Sequence, residues 1–275
     1  MAAPKRSRNA SPNVVAQAKA KGSGGPSTAR WLWENVKSLA GALLIFLLIK
    51  TFAVEAFRIP SGSMIPTLQV GDWLFVNKIV YGPTVPFGHK PLFHGYQEPK
   101  RGEVIVFESP YQADQPEDPT PTLVKRMVGA PGDTLYMREG LLYVNGLPQR
   151  QGYAAASNHK GDPNESSPLF DWQHKFEIRG SRFGAPPVTP LHDAWGPLVI
   201  PAGHYMMMGD NRYCSKDSRY WGLVPRDNIR GRPIFVYYSY VPGTVDDPNC
   251  SGDPSNRPLS FLSDIRWSRI GTVIR

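Results

Sequence analysis

Between Leu39 and Ile49 the chain is apolar without interruption, and apolar residues carry the run on to Phe57, broken by Lys50 and Glu55. A helix needs ~20 mainly apolar residues to cross a bilayer, a length that Val36 to Phe57 supplies if Lys50 and Glu55 lie near one interface. Trp31 and Trp33 sit where an aromatic belt would place them, so residues 31–57 read as a transmembrane anchor. Residues 1–30 have no apolar periodicity and are rich in Ala, Ser, Pro, Gly and Lys, which predicts a disordered tail. After the anchor the pattern changes to short runs of period two, the signature of strands: "DWLFVNKIVYG", "GEVIVFESP", "TLVKRMVGAPGD" and "TLYMREGLLYVNG". The last is a predicted hairpin with Glu139-Gly140 at its tip and Asn145-Gly146 as a second turn. From 147 to 197 the sequence is polar and irregular, an inserted smaller subdomain or loop excursion that divides a main domain into 58–146 and 198–275. Strand character returns in "LVIPAGHYMMMGDN" and "RPIFVYYSY", and the tail "FLSDIRWSRIGTVIR" is amphipathic and basic. The predicted fold class is mainly β: a membrane-anchored β-structured domain with an inserted subdomain and one N-terminal transmembrane helix.

Charge adds an orientation to this picture. The formal net charge of the 275 residues is +8. Up to Lys37 the positives are Lys5, Arg6, Arg8, Lys19, Lys21, Arg30 and Lys37 against Glu34 alone, so most of the excess precedes the apolar run. The nearly neutral remainder forms no basic stripe, and there is no finger, recognition-helix or RNP-type signature, which argues against a nucleic-acid partner. Basic residues flanking the anchor place the N-terminus in the cytoplasm and the chain beyond Phe57 on the far side. The central run alone also matches the apolar part of a cleavable signal peptide, but the basic tail is longer than such a peptide carries. Twenty-six glycines, 28 prolines and 41% hydrophobic residues describe a turn-rich globular chain. Cys214 and Cys250 form no Cys/His metal pattern; they are either a disulfide or two thiols. No metal or other cofactor is implied.

The candidate chemistry starts from "IPSGSMIPTLQVGD", residues 59–72. Pro60 and Pro66 fix φ and hold Ser61 and Ser63 still, as a turn requires and as a nucleophile requires. No G-x-S-x-G, H-E-x-x-H or Walker A motif is present, and no S-x-x-K begins at Ser61 or Ser63. No histidine lies in a triad segment; His89, His94 and His159 sit in Pro/Gly-rich loops and read as solvated. The remaining base is a lysine. In "PTLVKRMVGAPGD" the period of two puts Lys125 on one strand face with Leu123 and Met127. Lost hydration there lowers an amine's pKa towards neutrality; on an edge strand the same lysine would reach water.

The opening motif, "LVKRMVGAPGD" and "MGDNRYCSKDSRYWG", in this order behind one membrane segment and with a C-terminal "SRIG", resemble the bacterial type I signal peptidase (leader peptidase) family. The resemblance is weak across the insertion and absent from the first thirty or so residues. It implies that Ser63 is the nucleophile and Lys125 the general base of a Ser/Lys dyad, acting through an acyl-enzyme. The backbone N–H of Ser63 and the hydroxyl of Ser61 would then form the oxyanion hole. It further implies that Ser215 orients the lysine, and that Asp210 pairs with Arg126 and Asp217 with Arg219. Cys214 departs from the family pattern beside Ser215. The implied partners are signal-peptide-bearing exported precursors, cut after small residues in an A-x-A-type site, and membrane lipid; the implied place is the bacterial inner membrane. Phe57, Ile59, Met64 and residues around Lys125 are candidates to line the shallow pockets, and Trp267 to face lipid. A pilin-type peptidase would differ mainly in substrate, and a self-cleaving repressor would need an N-terminal DNA-binding domain. A non-catalytic envelope binding protein would treat Ser63 and Lys125 as turn and edge residues.

Overall fold

The computed structural model describes residues 28–84, 92–93, 95–112, 114–149, 162, 164–242, 250 and 263–275. The predicted disordered tail up to residue 27, and His89, His94 and His159, lie outside the described residues. The chain divides into two units, Met1–Ile45 and Phe46–Arg275. In the first, helix α1 (Thr28–Leu48) begins, with no buried residue, Arg30 paired to Glu34 one turn on and Lys37 over the ring of Trp33.

The helix does not extend to Phe57 as the apolar run suggests. A π-helical turn, Ile49–Ala53, ends it, and Val54–Arg58 is strand β1. The reason is a partner: β1 pairs antiparallel with β2 (Asp72–Asn77) from Val54 opposite Asn77 to Arg58 opposite Trp73, and this ladder satisfies its backbone. Glu55 pairs with Lys78 rather than being stranded in an apolar segment.

The remaining strands follow the period-two runs. They are β3 (Val104–Glu108), β4 (Thr122–Gly129), β5 (Thr134–Arg138), β6 (Leu141–Val144), β7 (Leu147–Pro148), β8 (Trp195–Val199), β9 (His204–Met208), β10 (Val224–Pro225) and β11 (Ile229–Ser239). They form a seven-stranded sheet of order β1-β2-β11-β3-β4-β9-β10 and a four-stranded sheet of order β7-β6-β5-β8. The predicted turns are present: Glu139 and Gly140 have φ of 51° and 74°, and Asn145 and Gly146 have φ of 53° and 87°, the left-handed geometry of tight hairpins. Between β7 and β8 lies a 3₁₀ stretch, Pro168–Lys175, capped by Ser167 and packed on helix α2 (Ser218–Trp221).

Three apolar clusters fill the interior. One joins the sheets through Val128, Leu135, Trp195 and Met206; another lies under β1, β2 and β11 with Ile59, Met64 and Leu74; the third holds Ile105, Phe107, Met127 and Met207. Strand β4 runs between β3 and β9, so Lys125 is on an interior strand, with Ile105 as its cross-strand partner. The edge-strand alternative for this lysine does not hold.

The C-terminal "SRIG" closes the large sheet. Asp72, fully buried, accepts from Arg269 Nε at 2.9 Å and Nη2 at 2.5 Å, from Ser239 Oγ at 2.7 Å and from the Gln69 N–H at 2.9 Å. Removing the cation leaves that carboxylate buried and uncompensated. Arg269→Met is therefore expected to lower unfolding free energy by about 3–5 kcal/mol in denaturant titration, and Asp72→Asn in the Arg269→Met background to recover part of it.

Candidate active site

Ser63 lies in a 3₁₀ turn, Gly62–Met64, that follows the extended residue Ser61. The hydrogen bond from the Ile65 N–H to the Gly62 carbonyl closes the turn, and Met64 anchors it in the core at 1% exposure. The loop after β9 holds the same turn from outside: the Asn211 N–H donates to the Ser63 carbonyl at 3.0 Å and Asn211 Nδ2 to the Gly62 carbonyl at 3.2 Å. Gly209 permits this approach, because a Cβ there would stand 2.2 Å from Ser215 Oγ and 2.6 Å from the Ser63 carbonyl.

On this pinned turn, Ser63 Oγ accepts from Lys125 Nζ at 2.6 Å, both side chains being buried. Burial strips hydration from the amine and takes its pKa down to about 8, from an ordinary 10.5; Asp217 and then Asp210 oppose the fall, and Arg219 assists it. The carboxylates are restrained by their own cations. Arg126 binds Asp210 bidentately through Nε and Nη2, each at 2.8 Å, and Thr67 Oγ1 donates to the same carboxylate at 2.5 Å. Arg219 binds Asp217 in the same fork, again at 2.8 Å through Nε and Nη2, while Asp217 also accepts the Gly209 N–H at 3.1 Å. Burial pushes the Asp217 pKa up, but the Arg219 guanidinium outweighs it and holds the carboxyl low.

The structure thus brings Ser63 and Lys125 into contact and forms both Asp–Arg pairs. Ser61 Oγ is 3.5 Å from Ser63 Oγ, on the exposed side of the turn. Ser215 is buried beside the lysine in the cleft wall, but among the described residues its hydroxyl has no hydrogen-bond partner, so no Ser215–Lys125 bond is formed. Cys214 is bonded to Cys250, settling the pairing that sequence left open. Ile59 and Met64 are core residues, whereas the open cleft of about 660 Å³ in front of Ser63 takes its apolar walls from Val70, Leu123, Leu169 and the disulfide. Trp267 is 65% exposed. Sequence reasoning assigned no role to Asn211, Thr67 or Gly209; the quoted "MGDN" held a signal for two of them.

Residues 32–238 match the family model described as signal peptidase, peptidase S26. The signal peptidase I of Pseudomonas aeruginosa is 39% identical over 256 residues, which cover 88% of this chain and 79% of that relative. The chain belongs to the signal peptidase (S26) family. The signal peptidase I of Pseudomonas fluorescens is 39% identical over 227 residues, covering 76% of this chain and 73% of that relative, and that of Aquifex aeolicus 32% identical over 277 residues, covering 86% and 97%. Family membership makes the chain a serine endopeptidase. Thr28–Ala53 is long and apolar enough to cross a membrane, which is consistent with anchoring.

The buried amine has a cost in stability. In the unfolded chain Lys125 is charged up to about pH 10.5, whereas in the folded chain burial lets it keep that charge only below about 8. The penalty is therefore complete below about pH 8, fades between 8 and 10.5 and amounts to about 3 kcal/mol. Lys125→Met is expected to match or exceed wild-type stability at pH 7 after losing a hydrogen bond worth ~1 kcal/mol, with the advantage shrinking as pH rises to 10.5. Denaturant titration at several pH values checks this; a variant equally destabilised at every pH contradicts it.

Proposed function

We propose that this chain removes signal peptides from exported precursor proteins, with Ser63 as nucleophile and Lys125 as general base. The observation that carries the reading is the 2.6 Å contact between a buried amine of lowered pKa and a hydroxyl on a rigid turn, in a chain of this family. Neutral Lys125 takes the Ser63 hydroxyl proton as Oγ adds to the scissile carbonyl carbon. The oxyanion receives hydrogen bonds from the Ser63 N–H and the Ser61 hydroxyl, whose place 3.5 Å from Ser63 Oγ supports that role. Collapse breaks the C–N bond, and the Lys125 ammonium returns its proton to the departing amine, leaving an ester on Ser63. Water then adds to the ester carbonyl, giving its proton to Lys125, which passes one back to Oγ as the peptide acid leaves.

The Asp210–Arg126 and Asp217–Arg219 pairs support this by keeping fixed, balanced charge near the amine, and Ser215 contributes a hydroxyl to the cleft wall beside it. Beside Ser63 and Lys125 the cleft has apolar wall from Leu123, Val70 and the disulfide, and larger side chains, Tyr213, Tyr220 and Leu169, also line it; an apolar wall next to the nucleophile supports cleavage after small residues of A-x-A type. The substrate is presented from a bilayer: α1 anchors the chain once in the inner membrane, with the N-terminus cytoplasmic and the peptidase domain outside. The same reading makes 58–146 and 198–275 the two parts of the catalytic domain and 147–197 its insertion.

The test is cleavage of an exported precursor by the detergent-purified full chain, with product termini read by mass. Ser63→Ala and Lys125→Ala should each lower kcat by ~10³-fold or more while remaining folded, and the double variant should be little worse than either. Wild-type activity should rise with pH through about 8, as the lysine loses its proton. Cleavage that survives both substitutions, or an acid limb far from 8, contradicts the assignment.

A further inference from the structure

The inserted segment walls part of the cleft with Leu169 and also reaches the charged groups behind Lys125. His192, at its C-terminal end, is 2% exposed and sits among charged groups from three parts of the chain. Asp193, from its own segment, lies 2.6 Å from Nδ1 through Oδ1, and its other oxygen accepts from the Tyr213 hydroxyl. From α2, Arg219 Nη1 is 2.5 Å from Nε2. The Arg212 carbonyl is 3.2 Å from the same nitrogen, the Tyr213 ring stacks on the imidazole, and the His192 N–H donates to the Glu165 carbonyl.

This arrangement fixes the tautomer. A guanidinium can only donate, so its 2.5 Å contact makes Nε2 an acceptor and leaves Nδ1 to carry the proton given to Asp193; the Arg212 carbonyl near Nε2 then takes its hydrogen bond from Arg219 Nη2, at 2.5 Å, and not from the ring. Burial and then Arg219 lower the His192 pKa against the opposing pull of Asp193 and Asp217, which agrees with a neutral ring. The histidine therefore holds Nη1 of the guanidinium whose Nε and Nη2 grip Asp217. A second contact from the insertion fixes the same residue, because Trp172 Nε1 donates to the Arg219 carbonyl at 3.0 Å.

We propose that His192, oriented by Asp193, is a positioning residue for peptide cleavage: it holds Arg219 in its fork on Asp217 and so sets the charge balance around Lys125. The inference rests on the Ser/Lys reading above. It makes the insertion a buttress of the catalytic base. Without the imidazole acceptor, Arg219 Nη1 loses its ring partner and the guanidinium keeps its Nη2 bonds to the Arg212 carbonyl at 2.5 Å and the Ser215 carbonyl at 3.4 Å; the fork loosens, Asp217 is less compensated, and the lysine holds its proton to higher pH.

The experiment measures pH profiles of kcat and KM for precursor cleavage by the full chain, comparing wild type with His192→Phe, His192→Gln, Asp193→Asn and Lys125→Ala. His192→Phe keeps a ring but no acceptor; it should lower kcat by ~10-fold or more at pH 7, leave KM unchanged and move the acid limb to higher pH. His192→Gln, with an acceptor near the Nε2 position, should restore the limb. Asp193→Asn should move it in the same direction as His192→Phe, and carries the test if the phenylalanine variant does not fold. An unmoved acid limb in the folded variants overturns the proposal, including the case in which kcat falls at all pH values alike, which is a merely structural effect. Cleavage by Lys125→Ala would instead remove the Ser/Lys reading on which it rests.

Discussion

A lysine amine kept out of water is the constraint to which the site answers. Desolvation, assisted by Arg219, lowers its pKa, and two carboxylates within electrostatic reach, Asp217 and Asp210, work to raise it again. Left bare, they would return the amine to its charged form and end its use as a base. Each is met by a guanidinium in a two-point fork, which fixes the carboxylate's direction as well as its charge. Removing one partner from such a buried pair is far worse than removing both, so the four residues act as a unit.

The fold supplies the burial by placing Lys125 on β4, an interior strand between β3 and β9, and the serine by bringing the turn at Gly62–Met64 against it. These segments are distant in sequence, and the loop after β9 braces the turn through its backbone: the Ser63 and Gly62 carbonyls are bound by the N–H and the side chain of Asn211, and the loop is itself fixed by the Gly209 N–H on Asp217. Backbone partners cannot rotate away as side chains can. That rigidity keeps the nucleophile and the amine in register.

What could be read from the sequence divides along physical lines. Period-two alternation located most strands because their burial is set by one sheet face, and the Glu139-Gly140 and Asn145-Gly146 turns were legible because positive φ selects those residues. The family resemblance drew together Ser63, Lys125, Arg126, Asp210, Asp217 and Arg219, whose contacts the structure then displays. Strand β1 was hidden, since Val54–Arg58 continues an apolar run and only its pairing with β2 separates it from the helix. Ile59 and Met64 looked like cleft residues because they lie near the serine in sequence, yet both are buried in the apolar cluster under β1, β2 and β11. The cysteine pairing and the place of His192 depend on contacts across 36 and 27 residues, which no local pattern encodes.

The central claim is that burial lowers the Lys125 pKa far enough to give a usable neutral fraction of amine near pH 8, and it is tested most directly by titrating that one group. Proton-detected NMR of ¹⁵Nζ-labelled lysine in the detergent-solubilised chain, with the Lys125 signal assigned by its loss in Lys125→Met, reports the protonation state across pH. A midpoint near 8 is the result expected from the burial and charge balance described here. A midpoint at the ordinary lysine value of about 10.4 would mean the amine is solvated or held charged by the carboxylates, and would contradict the account.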